Sequence, residues 1–192
     1  MVDQPYSTAP QQREAATMGM FFFLGTEIML FGGMFAVALG LRLTHPREFV
    51  DASLQLHVWI GAINTAVLLT SSAAVALAVH AVQAHQYRVT SVLFVIAALL
   101  GVVFLGIKAF EYATEYREGL LLPPVGVQRL FMDLYLLSTG LHALHVIVGA
   151  GLLAGVAAFA PRRATLVENT GLFWHLVDSI WVFLYPVLYL AR

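Results

Sequence analysis

Glu27, Lys108, Glu111, His142, His145, His175 and Asp178 are the side chains of this sequence that could do chemistry, and all stand inside otherwise apolar runs. A carboxylate at membrane depth costs at least ~2.5 kcal/mol even on lenient insertion scales, so such a group faces a partner helix and marks a functional or an assembly surface. Three chemistries compete for the set. Carboxyl and ammonium groups could handle protons, imidazoles could ligate a metal or haem, and any of them could hydrogen-bond one helix to the next.

The spacing discriminates between these. Glu27 sits about nine residues into the first apolar run, or ~13 Å at ~1.5 Å per residue, too deep to be a chance surface acid. Lys108 and Glu111 are three residues apart and share a face near the end of the third run. Mutual neutralisation is the simplest role for that pair, with proton handling as the functional alternative. Asn64, Leu68, Ser71, Ser72 and Val75 form a small, polar stripe of the kind that lets membrane helices approach closely. Tyr135, Ser138, His142, His145 and Gly149 make a second seam at steps of three and four, and Gly171, His175, Asp178, Val182, Tyr185 and Tyr189 a third. The last two seams are expected to meet, with His175 bonded to Asp178 and His142 or His145 bonded to a neighbour. Haem ligation fits poorly: counted from the loops, His145 and His175 differ in depth by roughly 10 Å, and His142 and His145 share one helix. No metal site is assigned.

The elements that must position these groups follow from composition. With 60% hydrophobic residues, 11% charged residues and a mean hydropathy of +0.82 over 192 residues, the sequence is that of an integral membrane protein. A net charge of -1 gives no footprint for nucleic acid, and the lack of cysteine excludes disulfides, Cys-ligated iron–sulfur clusters and Cys-bridged copper. Apolar stretches at about 18–41, 58–83, 89–112, 130–160 and 167–190 each reach the roughly 20 residues that cross ~30 Å of hydrocarbon. The predicted fold is all-α: five transmembrane helices in an antiparallel bundle. Residues 1–17 read as a polar N-terminal tail and 18–192 as one membrane domain, and the first apolar run is too long for a cleaved signal. The gaps carry turn chemistry at Thr44 to Asp51, His85 to Arg88, Glu115 to Arg129 with Pro123-Pro124, and Pro161 to Arg163. Arginines divide almost evenly, with Arg13, Arg88, Arg162 and Arg163 on the tail side and Arg42, Arg47, Arg117, Arg129 and Arg192 opposite, so charge does not decide orientation.

Taken together, the segments Thr26-Glu27-Ile28-Met29-Leu30-Phe31, Ile63 to Ser72, Phe110-Glu111-Tyr112, Thr139-Gly140-Leu141-His142-Ala143-Leu144-His145-Val146 and Phe173-Trp174-His175-Leu176-Val177-Asp178 occur in an order and spacing that resembles subunit III of the haem-copper oxidases. The resemblance runs from about residue 18 to 190 and is closest to the short, five-helix bacterial form. It implies a non-catalytic subunit of an aerobic respiratory cytochrome c oxidase, multi-pass in the bacterial plasma membrane, with a cytoplasmic N-terminus and a periplasmic C-terminus. Haem and copper would lie in partner subunits, this chain packing on the catalytic subunit I. Glu27, Lys108 and Glu111 would be the proton- and lipid-related residues beside bound phospholipid. Asn64, His142, His145, Trp174, His175 and Asp178 would form the assembly seam. Lys108 departs from the uncharged polar residue of many oxidase members, which keeps open the accessory membrane subunit of nitric oxide reductase, and a quinol oxidase subunit III is a further alternative. Of a different class is a small proton-coupled transporter using Glu27, Lys108 and Asp178; the absence of repeat symmetry and of paired broken helices argues against it.

Overall fold

The computed structural model describes residues 8–120 and 125–190. Among these every regular element is an α-helix: α1 (Ala9–Thr44), α2 (Pro46–Leu54), α3 (Val58–Gln83), α4 (Tyr87–Arg117), α5 (Val127–Phe159) and α6 (Ala164–Tyr189). All but α2 are long and apolar enough to span a membrane, five in number. Pro123-Pro124, Arg192 and the first part of the expected tail lie outside the described residues.

The expected tail is shorter than its polarity implied. Thr8 accepts a hydrogen bond from the Gln11 amide and Pro10 occupies the first turn, so helix starts at Ala9 and residues 9–17 continue into the first span. Glu27 therefore stands near the middle of a 36-residue helix rather than a third of the way in. The first gap also holds a helix. His45 breaks α1, Pro46 opens α2, and Glu48 lies in the first turn of α2, where an acid suits the helix dipole. The short α2 turns Phe49, Ala52 and Ser53 inward; the Phe49 ring meets Phe131 of α5 edge-on at 4.9 Å, and the Ser53 hydroxyl donates to the Leu188 carbonyl of α6 at 2.7 Å.

Helices α3, α4, α5 and α6 form a closed ring in which each touches the next, and α1 lies outside it against α5 and α6. Chain neighbours are thus not always spatial neighbours: α1 runs parallel to α6, with Phe23 beside Phe173 and Phe35 beside Phe183. The bridging α2 makes this possible by carrying the chain across the end of α1 to the far side of the ring.

Tight turns close the ring. His85 (φ 59) and Gly119 (φ 71) adopt left-handed backbone after α3 and α4, and the amides of Gln86 and Leu120 return to the Ala81 and Glu115 carbonyls at 2.9 and 3.0 Å. The second of these closures has a functional consequence, because it extends α4 past residue 112 and keeps Glu115 on the helix.

Candidate functional site

The axis of the ring is filled in three layers, each anchored by an aromatic residue of α6. In the layer nearest the N-terminal end, the Trp174 ring lies against Gly101 of α4 and Gly149 of α5, where an added Cβ would come within 2.7 Å of the indole. Its Nε1 donates to Ser71 of α3 at 3.0 Å, so one side chain touches three other helices. Seven residues on, Trp181 donates to Thr65 of α3 at 3.1 Å and packs edge-on against Phe104 at 4.9 Å, while His142 lies 5.1 Å from its ring. The third layer, toward α2, is polar and is built around Lys108.

The Lys108 ammonium has three protons and places all of them: on Glu111 Oε2 at 2.9 Å, the Tyr135 hydroxyl at 2.9 Å and the Tyr189 hydroxyl at 2.6 Å. The rings of Tyr112, Tyr135, Trp181 and Tyr189 surround it with centroids 4.7 to 5.3 Å away, and cation–π attraction adds to the hydrogen bonds. Tyr189 donates onward to Glu111 Oε1 at 2.7 Å, and Tyr135 donates to Glu115 at 3.0 Å. Lys108, Glu111 and Glu115 are 2%, 0% and 0% exposed, so an ammonium and two carboxyl groups are closed inside the bundle. Glu115 was expected in a loop and is instead a buried member of this cluster. The signal was present in the sequence, since Lys108, Glu111 and Glu115 continue one helix face at steps of three and four.

A second site lies where α1 meets the ring. Glu27 Oε2 is 2.9 Å from His145 Nε2, and His145 Nδ1 is 2.8 Å from the Leu141 carbonyl. A carbonyl only accepts, so Nδ1 carries a proton. The contact between Nε2 and Glu27 then holds one further proton, on the imidazole or on the carboxyl. Phe31 and Phe173 pack against the His145 ring, and the pair is largely buried, with side-chain exposures of 14% and 13%.

The expected meeting of the α5 and α6 seams is only partly present. At the α2 end Tyr135 and Tyr189 do touch, hydroxyl to hydroxyl at 3.2 Å. Farther in, His175 bonds to Ser72 of α3 at 2.7 Å and not to Asp178, and Gly171 packs on Val75 and Val79 of α3. The reason is bulk. Trp174 and Trp181 take the axis-facing positions of α6 and rotate the small and polar residues beside them toward α3. Asp178 is 3% exposed and its oxygens complete no hydrogen bond among the described residues, although the Ser72 hydroxyl stands close to it. Asn64 and His142, both 0% exposed, likewise leave all their side-chain polar atoms unpaired there. No group of three or more His, Cys, Asp or Glu close enough to hold a metal ion occurs among the described residues.

The sequence matches the family described as cytochrome c oxidase subunit III over residues 7–191. The chain belongs to that family. Cytochrome c oxidase subunit 3 of Thermostichus vulcanus is 30% identical over 189 residues, covering 95% of this chain and 90% of the relative. The protein of the same name from Alkalihalophilus pseudofirmus is 29% identical over 197 residues, covering 94% and 92%. Quinol oxidase subunit 3 of Bacillus subtilis is 26% identical over 200 residues, covering 96% and 93%. The subunit III segments that carried the resemblance fall on distinct structural jobs: Trp174 of the α6 segment fills the axis, its His175 and Asp178 face α3, and Glu27 and His145 join α1 to the ring.

Proposed function

We propose that this chain is the non-catalytic subunit III of a haem-copper terminal oxidase, cytochrome c oxidase, in an aerobic respiratory chain. The observation that carries the reading is the family match along nearly the whole chain. In this role the chain packs on the catalytic subunit, holds lipid beside it, and sustains its proton uptake and its stability during turnover. Haem and copper belong to the partner subunits, which supply the oxygen chemistry. The membrane is the bacterial plasma membrane, with the N-terminus cytoplasmic and the C-terminus periplasmic. The quinol oxidase relative keeps quinol as the alternative electron donor.

One structural feature supports the lipid part of the proposal. An apolar groove of about 620 Å³ runs between α1 and α6, lined by Phe31, Phe35, Phe49, Ile180 and Phe183 with Arg42 at its α2 end, which suits an acyl chain below a phosphate. The test is purification through this chain in mild detergent followed by haem spectroscopy. A co-purifying haem-copper enzyme that oxidises cytochrome c is the expected result, with no Soret band for the chain expressed alone. Recovery without haem, or a haem complex of the isolated chain, overturns the reading, and activity with quinol alone moves it to the alternative donor.

A further inference from the structure

Glu27 and His145 share a proton, and the structure is strongly asymmetric in how that proton could be exchanged. Toward the N-terminal end, α5 runs from Val146 to Phe159 without one side-chain nitrogen or oxygen. On α1, the only polar side chains between Glu14 and Glu27 are Thr17 and Thr26, and the Thr26 hydroxyl is turned back onto the Phe23 carbonyl. The α6 residues packed by the pair are Phe173 and Trp174; Asn169 and Thr170 lie a turn farther toward that end, and Glu168 is drawn aside to Gln83 of α3. An apolar stretch of roughly 20 Å, at ~1.5 Å per residue of α5, separates the pair from that end.

Toward α2 the opposite holds. His57 and Glu118 face each other at the surface, 3.8 Å apart and partly exposed. One turn in, Glu115 takes the Tyr135 hydroxyl, which contacts Lys108 and Tyr189, and these reach Glu111. One turn farther along α4 is Phe104, whose ring packs on His142 at 5.5 Å. His142 packs on Trp181, over which the Lys108 ammonium lies at 5.3 Å, and precedes His145 by three residues on the same face of α5. The span from Tyr135 to His145 is about 15 Å, and polar groups occur along all of it.

We infer that the Glu27–His145 pair exchanges its proton with the α2 end of the bundle, through the Lys108–Glu111–Glu115 cluster and His142. The unpaired atoms mark where the route is completed. Both nitrogens of His142 and both polar atoms of Asn64 are buried without partners among the described residues. Asn64 precedes Thr65, which bonds to Trp181, and Trp181 packs on His142, so the two orphans occupy one layer of the axis. Buried polar groups of this kind are satisfied by internal water, which needs two to four polar partners. On this route, water held by His142 and Asn64 would join the Lys108 cluster on one side to His145 on the other. The remaining ionisable groups nearby are off the route: His175 and Asp178 face Ser72 on α3, and Tyr112 is bonded to Thr139. In the proposed orientation the pair is thus served from the side opposite cytoplasmic proton uptake, and its part in sustaining turnover is not that of a donor to that uptake.

The experiment uses the assembled complex in membrane vesicles of each orientation. An apolar carbodiimide enters from either side and reacts with a carboxyl group only in its acid form, so its adduct on Glu27, mapped by mass spectrometry, reports that proton. With a pH difference held across the membrane, modification should follow the pH at the α2 end, rising by up to about tenfold per unit of acidification, the limit for one titrating proton. His142→Phe should abolish that dependence, and His142→Gln, which keeps a donor and an acceptor, should retain it. Dependence on the N-terminal side, equal dependence on both sides, or an unchanged response in His142→Phe overturns the inference. The wild-type arm decides the side even if the phenylalanine variant fails to assemble.

Discussion

Replacing Lys108 with methionine tests whether the polar layer is held by charge or by packing. In the native cluster a formal charge of one ammonium stands against two carboxylates, all of them 2% exposed or less. Methionine fills much of the lysine's volume but leaves Glu111 and Glu115 uncompensated, and removing one partner of a buried pair costs about 3–5 kcal/mol. Adding Glu111→Gln returns the layer to its native net charge. The glutamine can still accept from Tyr189, now 2.7 Å from the carboxylate, so one of the two uncompensated carboxylates is removed and the double variant should regain about half of the loss. At about 2–4 °C per kcal/mol for chains of this size, Lys108→Met should lower the unfolding midpoint by roughly 6–20 °C, and the double variant should recover about half of it. The assay is retention of this chain in the detergent-purified complex after a temperature ramp. A double variant as labile as the single one would refute the electrostatic argument and leave the aromatic cage as the stabilising element.

Gly149→Ala should destabilise by about 1–3 kcal/mol in the same assay, because the new Cβ meets the Trp174 ring, whereas Gly155→Ala, with nothing within 4 Å, should not. Ser72→Ala removes the 2.7 Å partner of His175 and should cost about 1 kcal/mol without loss of membrane insertion. Glu27→Gln should assemble and begin turnover at a near-normal rate but inactivate faster with each cycle; equal inactivation lifetimes would return Glu27 to a purely structural role. Reporter fusions at the two chain ends should give opposite compartments, as an odd number of spans requires, with the N-terminal one cytoplasmic in the proposed orientation.

The spans were legible in the sequence because length and apolarity decide them, and Lys108 and Glu111 could be paired because helix geometry fixes neighbours three residues apart. What periodicity does not fix is the rotation of each helix about its own axis. Both seams of α5 and α6 were visible as stripes, but which stripe faces which helix depends on where the indoles of Trp174 and Trp181 find room, and that room is made by Gly101 and Gly149 on other helices. The same limit hid the contact between Glu27 and His145, 118 positions apart and on helices not consecutive in the chain. Glu115 was missed for a local reason: a polar run after the apolar stretch reads as a loop, while Gly119 lets the helix continue until its carbonyls are capped.

This division of labour follows from the solvent. Lipid is as apolar as leucine, so membrane helices gain nothing from hiding greasy surface on each other and must associate through close packing and polar contacts. The ring α3–α6 uses both, in different layers. Indole against glycine gives van der Waals contact at the N-terminal end, where α5 has no polar side chain after His145, and the lysine cluster gives hydrogen bonds at the α2 end. A bundle joined in this way carries its buried charges at the α2 end and only isolated hydroxyl contacts, such as Ser71 with Trp174, at the other. On the inferred route Glu27 and His145, where α1 meets that ring, exchange with the α2 side, and the close-packed indole layer is what separates them from the other.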